Sequence, residues 1–326
     1  MEKITVIVLA YNIENYIVRC LNTIINQTFN NLEIIVINDG STDNTIDEIK
    51  KIAENDDRII VINNKNKGVM ESRKEGFERA SGEYILYVDG DDWIELNTVE
   101  ILYKQAKMKN YDIVCYDYSM DSDSGRVIQN GKLRDLNNCT GDFLKDILLD
   151  NIPPSMWSKF IKRKFIEENK IKWLSGISYG EDLATVCLWA IFNPKVIYID
   201  NRLYHYYQRE NSITRKISNK VLDISKATYY IKNELESFKL LSKYKLEFEY
   251  LIFLHNYYYQ FGIISNFKNE YSKKLYAIWK EFNIGLKDNR YIMNKLRENS
   301  KGQLFYYKLL NFNYNFARKY SEIRGF

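Results

Sequence analysis

The segment GEYILYVDGDDWIEL, residues 82–96, places three aspartates directly after an apolar strand. Asp89, Asp91 and Asp92 are so close that their carboxylates would repel one another, so a positive charge is expected beside them. Two carboxylates at Asp-x-Asp spacing can reach one hard divalent ion such as Mg²⁺ or Mn²⁺, which prefers oxygen ligands and often binds substrate phosphates. Taken alone, the segment is more often a solvated turn, because Asp-Gly is also favourable turn chemistry.

Two further charged residues lie where they can join this cluster. Asp39 ends the second predicted strand, in EIIVINDGSTDNT, and Arg73 lies on the helix that precedes the fourth strand, in NKGVMESRKEG. A guanidinium at this position can pair with a phosphate or with the acids, whereas an isolated arginine is more often a solvated helix residue.

Alternating apolar runs and helical spacing predict the elements that position these residues. Strands are predicted at 4–9, 33–37, 58–62, 84–88, 112–116 and 196–199, and helices at 14–26, 43–55, 69–80, 97–109, 141–149, 157–169 and 181–192. The pattern predicts an α/β fold with a mostly parallel sheet covered by helices on both faces. Ligands of such sheets bind beyond the carboxyl ends of the strands, which places Tyr11, Asp39 and the three strand-end aspartates on one rim.

The last third of the chain differs in composition. Residues 201–326 contain 23 Lys and Arg against 11 Asp and Glu, and they hold 17 of the 27 tyrosines. Helices are predicted at 221–240, 243–265, 272–282 and 306–320. We therefore predict a catalytic domain over residues 1–215 and a helical domain over residues 216–326.

The segment YLIFLHNYYYQFGIIS within this region is apolar nearly all round, as in a helix buried on more than one side. It favours packing on the catalytic domain, with a homodimer interface or docking to an anionic membrane or polymer as alternatives. The basic charge would also suit nucleic acid, but no recognised binding motif supports that partner, and none is predicted.

The overall composition is that of a soluble globular protein of 326 residues. Its four cysteines show no CxxC pairing, and those in apolar patterns (Cys20, Cys115 and Cys187) are expected to be buried free thiols. No apolar run approaches 18 residues and the N-terminus does not resemble a secretory signal, so we expect a cytoplasmic protein, in possible peripheral contact with the membrane.

Several segments together resemble one known family. VIVLAYNIENYIVRCLNTIINQTFNNLEIIVINDGSTDNT, followed by NKGVMESRKEGFERASGEYILYVDGDDW, resembles the nucleotide-sugar domain of family 2 glycosyltransferases with the GT-A fold. GISYGEDLATVCLWA resembles the segment that supplies their catalytic base, and YHYYQRENSITR resembles the strand and loop that follow it in bacterial capsule and wall-polymer members. The resemblance covers about residues 1–215 and implies an inverting transferase that uses a UDP-sugar.

The resemblance also implies roles for the nucleotide-binding residues. Tyr11 and Asn12 would lie against the nucleotide, and Asp39 would accept a hydrogen bond from the uracil ring. Arg73 would contact the base or the diphosphate.

The strand-end acids would bind the sugar and the metal. Asp89 would face the ribose or the sugar, and Asp91 would bind the Mn²⁺ or Mg²⁺ that holds the diphosphate. Asp92 and Trp93 would border the donor sugar. His205 is a candidate further metal ligand, although a packed or exposed strand histidine is the more common case.

The catalytic base implied by the resemblance is Asp182, with Glu181 beside it. A carboxylate there can take the proton of an acceptor hydroxyl as the new bond forms, whereas acids at a helix N-terminus can also serve only the helix dipole. Arg209 and Ser212 would close over the diphosphate. The chain departs from the family at Ala10, where proline is usual, and at Tyr207, where many relatives have arginine.

Three other functions are compared with this one. A nucleotidyltransferase or a dinucleotide dehydrogenase would need a glycine-rich loop after the first strand, and VLAYNIENY has no glycine. The remaining alternative is a non-catalytic subunit that binds a nucleotide-sugar or glycan and supports a partner enzyme. The acceptor is expected to be a glycan, a lipid-linked or a protein-linked hydroxyl.

Overall fold

A single mixed sheet forms the centre of the molecule. The computed structural model describes residues 2–122, 129–130, 139–209 and 218–324. The strands in these ranges are β1 (Ile4–Ala10), β2 (Leu32–Asn38), β3 (Ile59–Asn63), β4 (Tyr84–Asp89), β5 (Trp93–Ile94), β6 (Ile113–Ser122), β7 (Gln129–Asn130), β8 (Lys159–Lys162) and β9 (Val196–Gln208). They are ordered β3-β2-β1-β4-β8-β6-β9-β5, and β7 pairs with β6.

Helices cover both faces of this sheet. They are α1 (Ile17–Ile25), α2 (Thr45–Ala53), α3 (Val69–Arg79), α4 (Thr98–Met108), α5 (Phe143–Leu148), α6 (Arg163–Glu168), α7 (Glu181–Ile191), α8 (Asp223–Ser237), α9 (Lys245–Phe253), α10 (Phe261–Ile264), α11 (Ser272–Glu281), α12 (Arg290–Arg297), α13 (Lys301–Phe312) and α14 (Tyr314–Arg324). A turn of π-helix, Leu254–Tyr258, follows α9.

The strands β1, β2 and β4 are apolar on both sides because both sides are covered. Ile7, Ile35 and Ile85 belong to one buried cluster, and Val8 and Val36 belong to a second cluster on the other face. β1 pairs in parallel with β2 and β4, and β2 pairs in parallel with β3. These pairings confirm the α/β prediction, and they bring the carboxyl ends of β1, β2 and β4 to one rim.

The second half of the sheet departs from the predicted parallel pattern. The helix predicted at 157–169 was wrong in its first half, because Lys159–Lys162 forms β8 between β4 and β6 and runs antiparallel to both. Only Arg163–Glu168 is helical. The final strand was predicted at 196–199 but runs from Val196 to Gln208, because it pairs along the length of β6 and also with β5.

The helices after residue 218 pack on the same core as the sheet. Ile7 and Ile85 of the strands, Leu188 of α7 and Trp279 of α11 belong to one continuous apolar cluster. The boundary between residues 215 and 216 stays a prediction. Helix α12 was missed, since Arg290–Arg297 carries only two buried apolar side chains. Cys20, Cys115 and Cys187 are buried free thiols, as predicted. Across the described ranges, no helix has the length and apolarity needed to cross a membrane.

We predict that Trp279→Ala destabilises the whole described fold as one unit. The Trp279 ring stacks on Tyr257 with centroids 5.0 Å apart, and its Nε1 donates to Asn311 at 2.8 Å. Loss of a buried tryptophan costs about 3–5 kcal/mol. Denaturant unfolding followed by far-UV circular dichroism and by fluorescence should give one coincident transition at lower denaturant.

Met108→Ala is the control, because this side chain is exposed and should leave the midpoint unchanged. Two separate transitions, only one of them shifted by Trp279→Ala, would contradict the single unit and support the predicted domain boundary.

Candidate active site

A buried arginine joins the acids of two distant segments at the rim. Arg73 of α3 is 2% exposed. Its Nη2 donates to Asp89 Oδ1 at 3.4 Å, and its Nη1 donates to Asp182 Oδ1. Burial lowers the pKa of Arg73, but the carboxylates of Asp182 and Asp89 outweigh this effect, and the net pKa is raised. Arg73 is therefore a fixed cation at the centre of an acidic site.

Asp89, the last residue of β4, has a raised pKa. Burial raises its pKa to about 6; Arg73 opposes the rise, and the negative charges of Asp91 and Asp182 add to it. Its backbone N–H donates to Tyr204 Oη at 3.1 Å. An additional cation near this carboxylate would favour its charged form.

Asp91 already has a cationic neighbour. Arg209 Nε lies 2.8 Å from Asp91 Oδ2, and the Arg209 guanidinium lies 5.5 Å from the centre of the Tyr16 ring. Burial raises the pKa of Asp91, while Arg209 lowers it. A metal ion at this carboxylate would share it with Arg209 or displace that side chain.

The donor set suits a cation that takes most of its ligands from a substrate. In the parts of the chain that the structure describes, no group of three or more His, Cys, Asp or Glu side chains is arranged to hold a metal. The Asp91 side chain is partly solvent-exposed, and its Oδ2 is the oxygen nearest to Arg209. Mg²⁺ and Mn²⁺ typically bind through one or two carboxylates plus phosphate oxygens and water. Asp91 fits this mode rather than an all-protein cage.

Asp92 is buried, and both of its carboxylate oxygens accept hydrogen bonds. Tyr204 Oη donates to its Oδ2 at 2.6 Å, and the backbone N–H of Tyr207 donates to its Oδ1 at 2.7 Å. Burial raises the pKa of Asp92 well above its ordinary value, and Asp91 and Asp89 add to the rise. Asp92 thus ties the acidic turn to β9, and its contact with a sugar stays a prediction.

Gly90 lets this turn lie against the end of β1. Its N–H donates to the carbonyl of Leu9 at 2.8 Å. A Cβ at this position would lie 2.7 Å from that carbonyl oxygen and 2.6 Å from the Ile13 side chain. Any larger residue would push Asp89 and Asp91 away from the rim.

His205 is held by two carboxylates. Its Nδ1 lies 2.8 Å from Asp121 Oδ2, its Nε2 lies 2.9 Å from Glu95 Oε1, and its ring stacks on Trp93 with centroids 4.8 Å apart. A metal bound by His205 would have to displace one of these carboxylates, so the assignment as a ligand stays a prediction.

Asp39 shapes the neighbouring loop. Its two carboxylate oxygens accept hydrogen bonds from the backbone N–H groups of Lys67 and Gly68, each at 2.9 Å. The segment that leads into α3 and Arg73 is therefore fixed from the end of β2. A uracil contact to Asp39 would use the remaining lone pairs of these oxygens and stays a prediction.

Tyr11 and Asn12 follow β1 at the same rim. Asn12 adopts a positive φ of 50°, and its Oδ1 accepts from the backbone N–H of Thr42 at 2.8 Å. The adjacent Tyr11 side chain is exposed. Asn12 thus joins the ends of β1 and β2, and Tyr11 presents an aromatic ring to solvent.

Asp182 lies in the first turn of α7, where the helix dipole favours a carboxylate. Its Oδ1 binds Arg73, and its Oδ2 accepts from the backbone N–H of Met156 at 3.2 Å. Burial raises the pKa of the adjacent Glu181 to about 7; the charge of Asp182 adds to the rise, and Arg73 opposes it. Glu181 is therefore partly protonated near neutral pH.

Sequence reasoning missed Lys159, which is fully buried in β8. Its ammonium donates to the carbonyls of Pro153 and Ser155 at 2.6 and 3.1 Å, and to Ser158 Oγ at 2.8 Å. These bonds fix the segment whose Met156 N–H reaches Asp182. Burial lowers the pKa of Lys159 to about 8, while Cys115 and Asp182 oppose the fall. The only signal in the sequence is a lysine directly before two apolar residues in SKFIK.

Arg19 is a second residue that sequence reasoning missed. Its Nη2 donates to the carbonyl of Asp91 at 2.9 Å, and its guanidinium lies 3.8 Å from the Trp93 ring centre and 4.3 Å from that of Tyr207. Burial lowers the pKa of Arg19, and Asp92 opposes this effect. An arginine within the apolar pattern of YIVRCL was the available signal.

The structure thus brings most of the predicted site residues to one rim. Arg73 directly contacts Asp89 and Asp182, and Arg209 contacts Asp91. Ser212 lies outside the described residues. The ligands assigned to each of these side chains stay predictions.

Comparison with known proteins identifies a family. Residues 5–169 match the model of Glycosyl transferase family 2. Glycosyltransferase GlyA of Streptococcus pneumoniae is 35% identical over 230 residues, which cover 66% of this chain and 32% of GlyA. This chain thus spans about a third of that relative. Cholesterol galactosyltransferase of Borreliella burgdorferi is 30% identical over 305 residues, covering 88% of this chain and 82% of that protein.

Solved structures share the fold. The structure of S. aureus TarS 1-349 in complex with UDP-GlcNAc matches with a TM-score of 0.74 at 21% identity, covering 99% of this chain and 92% of TarS 1-349. The comparison confirms the GT-A type of fold, and the similarity extends through the C-terminal helices.

We predict that Glu181 makes the stability of the ligand-free protein depend on pH. Its folded-state pKa of about 7 lies above the ordinary value of 4.5, so the folded state holds a proton that the unfolded chain releases between these values. The resulting stabilisation is full below pH 4.5 and is lost as the pH rises through 7. It amounts to about 1–3 kcal/mol.

Urea unfolding of the native chain and of Glu181→Gln at pH 5, 6 and 7 measures this effect. The native chain should lose more stability than the variant as the pH rises. Equal slopes for the two proteins would show that Glu181 titrates normally.

Proposed function

Because this chain belongs to glycosyl transferase family 2, we propose that it is a nucleotide-sugar glycosyltransferase that moves a sugar from a UDP-sugar to a hydroxyl group with inversion at the anomeric carbon. The observation that carries this proposal is the bridge from Arg73 to Asp89 and Asp182. It joins the strand-end acids to a carboxylate from a segment about 90 residues further along the chain. We therefore propose an enzyme rather than a non-catalytic subunit.

We propose UDP as the nucleotide on two grounds. S. aureus TarS, which shares the fold, is described in complex with UDP-GlcNAc and with UDP. The rim around Asp39 also offers a carboxylate at the end of β2, where it can accept a hydrogen bond from the uracil N–H. Tyr11 supplies an exposed ring, and Asn12 fixes the loop beside it.

The acids at the end of β4 would make the remaining contacts with the UDP-sugar. We assign Asp91 to a Mn²⁺ or Mg²⁺ ion that would neutralise the charge of the diphosphate leaving group, and Asp89 to the ribose or sugar hydroxyls. Arg209, now paired with Asp91, would turn its guanidinium toward the diphosphate once a metal takes its place. Asp92 holds the turn in position through its hydrogen bonds from Tyr204 and Tyr207.

Asp182 is the general base of the proposed reaction. An acceptor hydroxyl is a poor nucleophile near neutral pH, and a carboxylate within hydrogen-bond reach can take its proton as the oxygen attacks the anomeric carbon. The bond to the UDP oxygen breaks on the opposite face, and UDP leaves with the electron pair. Arg73 and the Met156 N–H hold both oxygens of Asp182 in place. Because Glu181 is partly protonated, it does not place a second full negative charge beside Asp182.

The acceptor is proposed to be a hydroxyl of a glycan, a lipid-linked or a protein-linked molecule, and the reaction is proposed to take place in the cytoplasm. The named relatives include a cholesterol galactosyltransferase, whose name gives cholesterol as the acceptor, and GlyA, whose name specifies no acceptor. Acceptor selection therefore has to come from surfaces outside the donor rim.

We expect Asp182→Asn to abolish transfer and to retain UDP binding. The amide keeps the size of the side chain but cannot accept a proton, so the rate should fall by about a factor of 10² to 10⁴. Turnover of UDP-sugars with Mn²⁺ and a panel of hydroxyl acceptors measures the rate, and calorimetry measures UDP affinity.

Asp57→Asn is the matched control, because Asp57 is exposed and remote from the described site. An Asp182→Asn protein with near-native turnover would exclude Asp182 as the base. A loss of UDP binding in that variant would instead assign Asp182 to the donor site.

We expect UDP and Mn²⁺ together to raise the melting temperature of the native chain more than either alone. Ligands that bind only the folded state stabilise it in proportion to their affinity. Asp91→Asn should remove the Mn²⁺-dependent part of the shift, and GDP should give a smaller shift than UDP. An equal response to UDP with and without Mn²⁺, in native and variant proteins, would refute the metal assignment.

A further inference from the structure

The last two described helices expose large apolar side chains to solvent. Phe305 and Phe312 of α13 are 50% and 80% exposed, and Phe316 and Ile323 of α14 are 58% and 84% exposed. These are four of the ten large apolar residues exposed in the described parts of the chain, and they lie within 19 residues. A concentration of this kind marks an interaction surface, whereas single exposed apolar residues do not.

These side chains are not needed to attach the helices to the protein. Tyr307 and Leu310 of α13 and Ala317 and Ser321 of α14 are buried and form the inner side. The ring of Tyr307 stacks on the ring of Tyr258, and the two ring centroids lie 5.3 Å apart. Helical periodicity places Phe305 and Phe312 on the side opposite Tyr307. Each helix therefore exposes large apolar side chains on its outer side in addition to burying its inner side.

Lysines alternate with the apolar residues on these outer sides. Their spacing of three to four residues is that of one helix face. The two series are Lys301, Phe305, Lys308 and Phe312 on α13, and Phe316, Lys319 and Ile323 on α14. The Phe305 ring lies 5.6 Å from that of Tyr320, which places the two helices side by side. We call these seven residues the outer face.

The outer face carries a positive charge that the described protein does not neutralise. Residues 301–324 contain five Lys and Arg and one acid, Glu322. Glu322 is paired with Arg318 at 2.9 Å. Within the described residues, Lys301, Lys308 and Lys319 form no ion pair. The matching partner is therefore both anionic and apolar.

We propose that the outer face docks on an anionic lipid bilayer. Phe305, Phe312, Phe316 and Ile323 enter the boundary between headgroups and acyl chains, and the lysines remain at the level of the lipid phosphates. Basic helices with aromatic and aliphatic side chains bind bilayers in this way, and each Lys near an anionic surface adds to the attraction.

Charge complementarity favours the bilayer over a second copy of the chain. A two-fold contact between outer faces would bring two positively charged surfaces together, and such like charges repel. A bilayer of anionic lipids meets both requirements at once, because it supplies negative headgroups and an apolar interior. The proposal is independent of the reaction assigned to the rim.

Flotation of the full chain with vesicles tests the proposal. We expect at least tenfold stronger partitioning into vesicles of phosphatidylcholine with 30% phosphatidylglycerol (a lipid mixture of about one anionic headgroup in three) than into pure phosphatidylcholine, and a decrease at high salt. The double variant Phe312→Ser, Phe316→Ser should lose at least tenfold of this partitioning.

A charge variant separates the two contributions. Lys301→Gln, Lys308→Gln and Lys319→Gln together should abolish the preference for anionic vesicles. The matched controls are Met108→Ser, which removes an exposed apolar side chain of α4, and Lys50→Gln with Lys172→Gln, which remove exposed charges elsewhere. The controls should partition like the native chain, and circular dichroism should show that all variants are folded.

Three results would overturn the proposal. The first is equal partitioning into neutral and anionic vesicles, and the second is native partitioning by the Phe312→Ser, Phe316→Ser variant. The third is a dimer in solution that this variant dissociates, which would assign the outer face to a second copy. Failure of the Asp182→Asn test would leave these results unaffected.

Discussion

The buried guanidinium of Arg73 is the interaction on which the rest of the site depends. Asp89 ends a strand and Asp182 begins a helix about 90 residues later, and the Arg73 side chain contacts both. Without a cation between them, these carboxylates would repel one another in a poorly solvated place. Removing one member of such a buried group leaves an uncompensated charge and typically costs 3–5 kcal/mol. The site geometry is therefore stabilised by the same charges that the proposed chemistry uses.

The acids around this arginine are distinguished by their environments. Asp92 is buried among tyrosine and backbone donors and serves to hold the turn. Asp91 remains accessible and shares its carboxylate with Arg209, as expected of a position that exchanges one cation for another. Glu181 and Asp182 are adjacent in sequence, yet burial and mutual repulsion raise the pKa of Glu181 to about 7. The structural role of Asp92 and the cation-binding and base roles proposed for Asp91 and Asp182 thus rest on differences in burial and hydrogen bonding.

The C-terminal helices contribute to the catalytic unit and present a separate surface. Their inner sides join the apolar cluster that also contains strand residues and residues of α7, the helix that carries Asp182. Their outer face carries lysines and exposed phenylalanines that the described fold does not use. Donor binding at the rim and docking through the outer face would then be separate functions of one chain.

The sequence by itself determined the elements whose signals are local. Continuous apolar strands, helical spacing and acids at strand ends predicted β1 to β4, the helices between them and a shared rim, because parallel strands bring their carboxyl ends together. Tertiary structure alone decided what depends on distant partners. β8 is a strand because two neighbouring strands lacked a partner, and SKFIK has too few residues to signal it. Lys159 is buried because loop carbonyls around it accept hydrogen bonds from its ammonium group, and Arg73 pairs with Asp182 because α3 and α7 pack over one sheet. Such contacts are set by the packing of segments far apart in the chain, and local residue patterns carry no information about them.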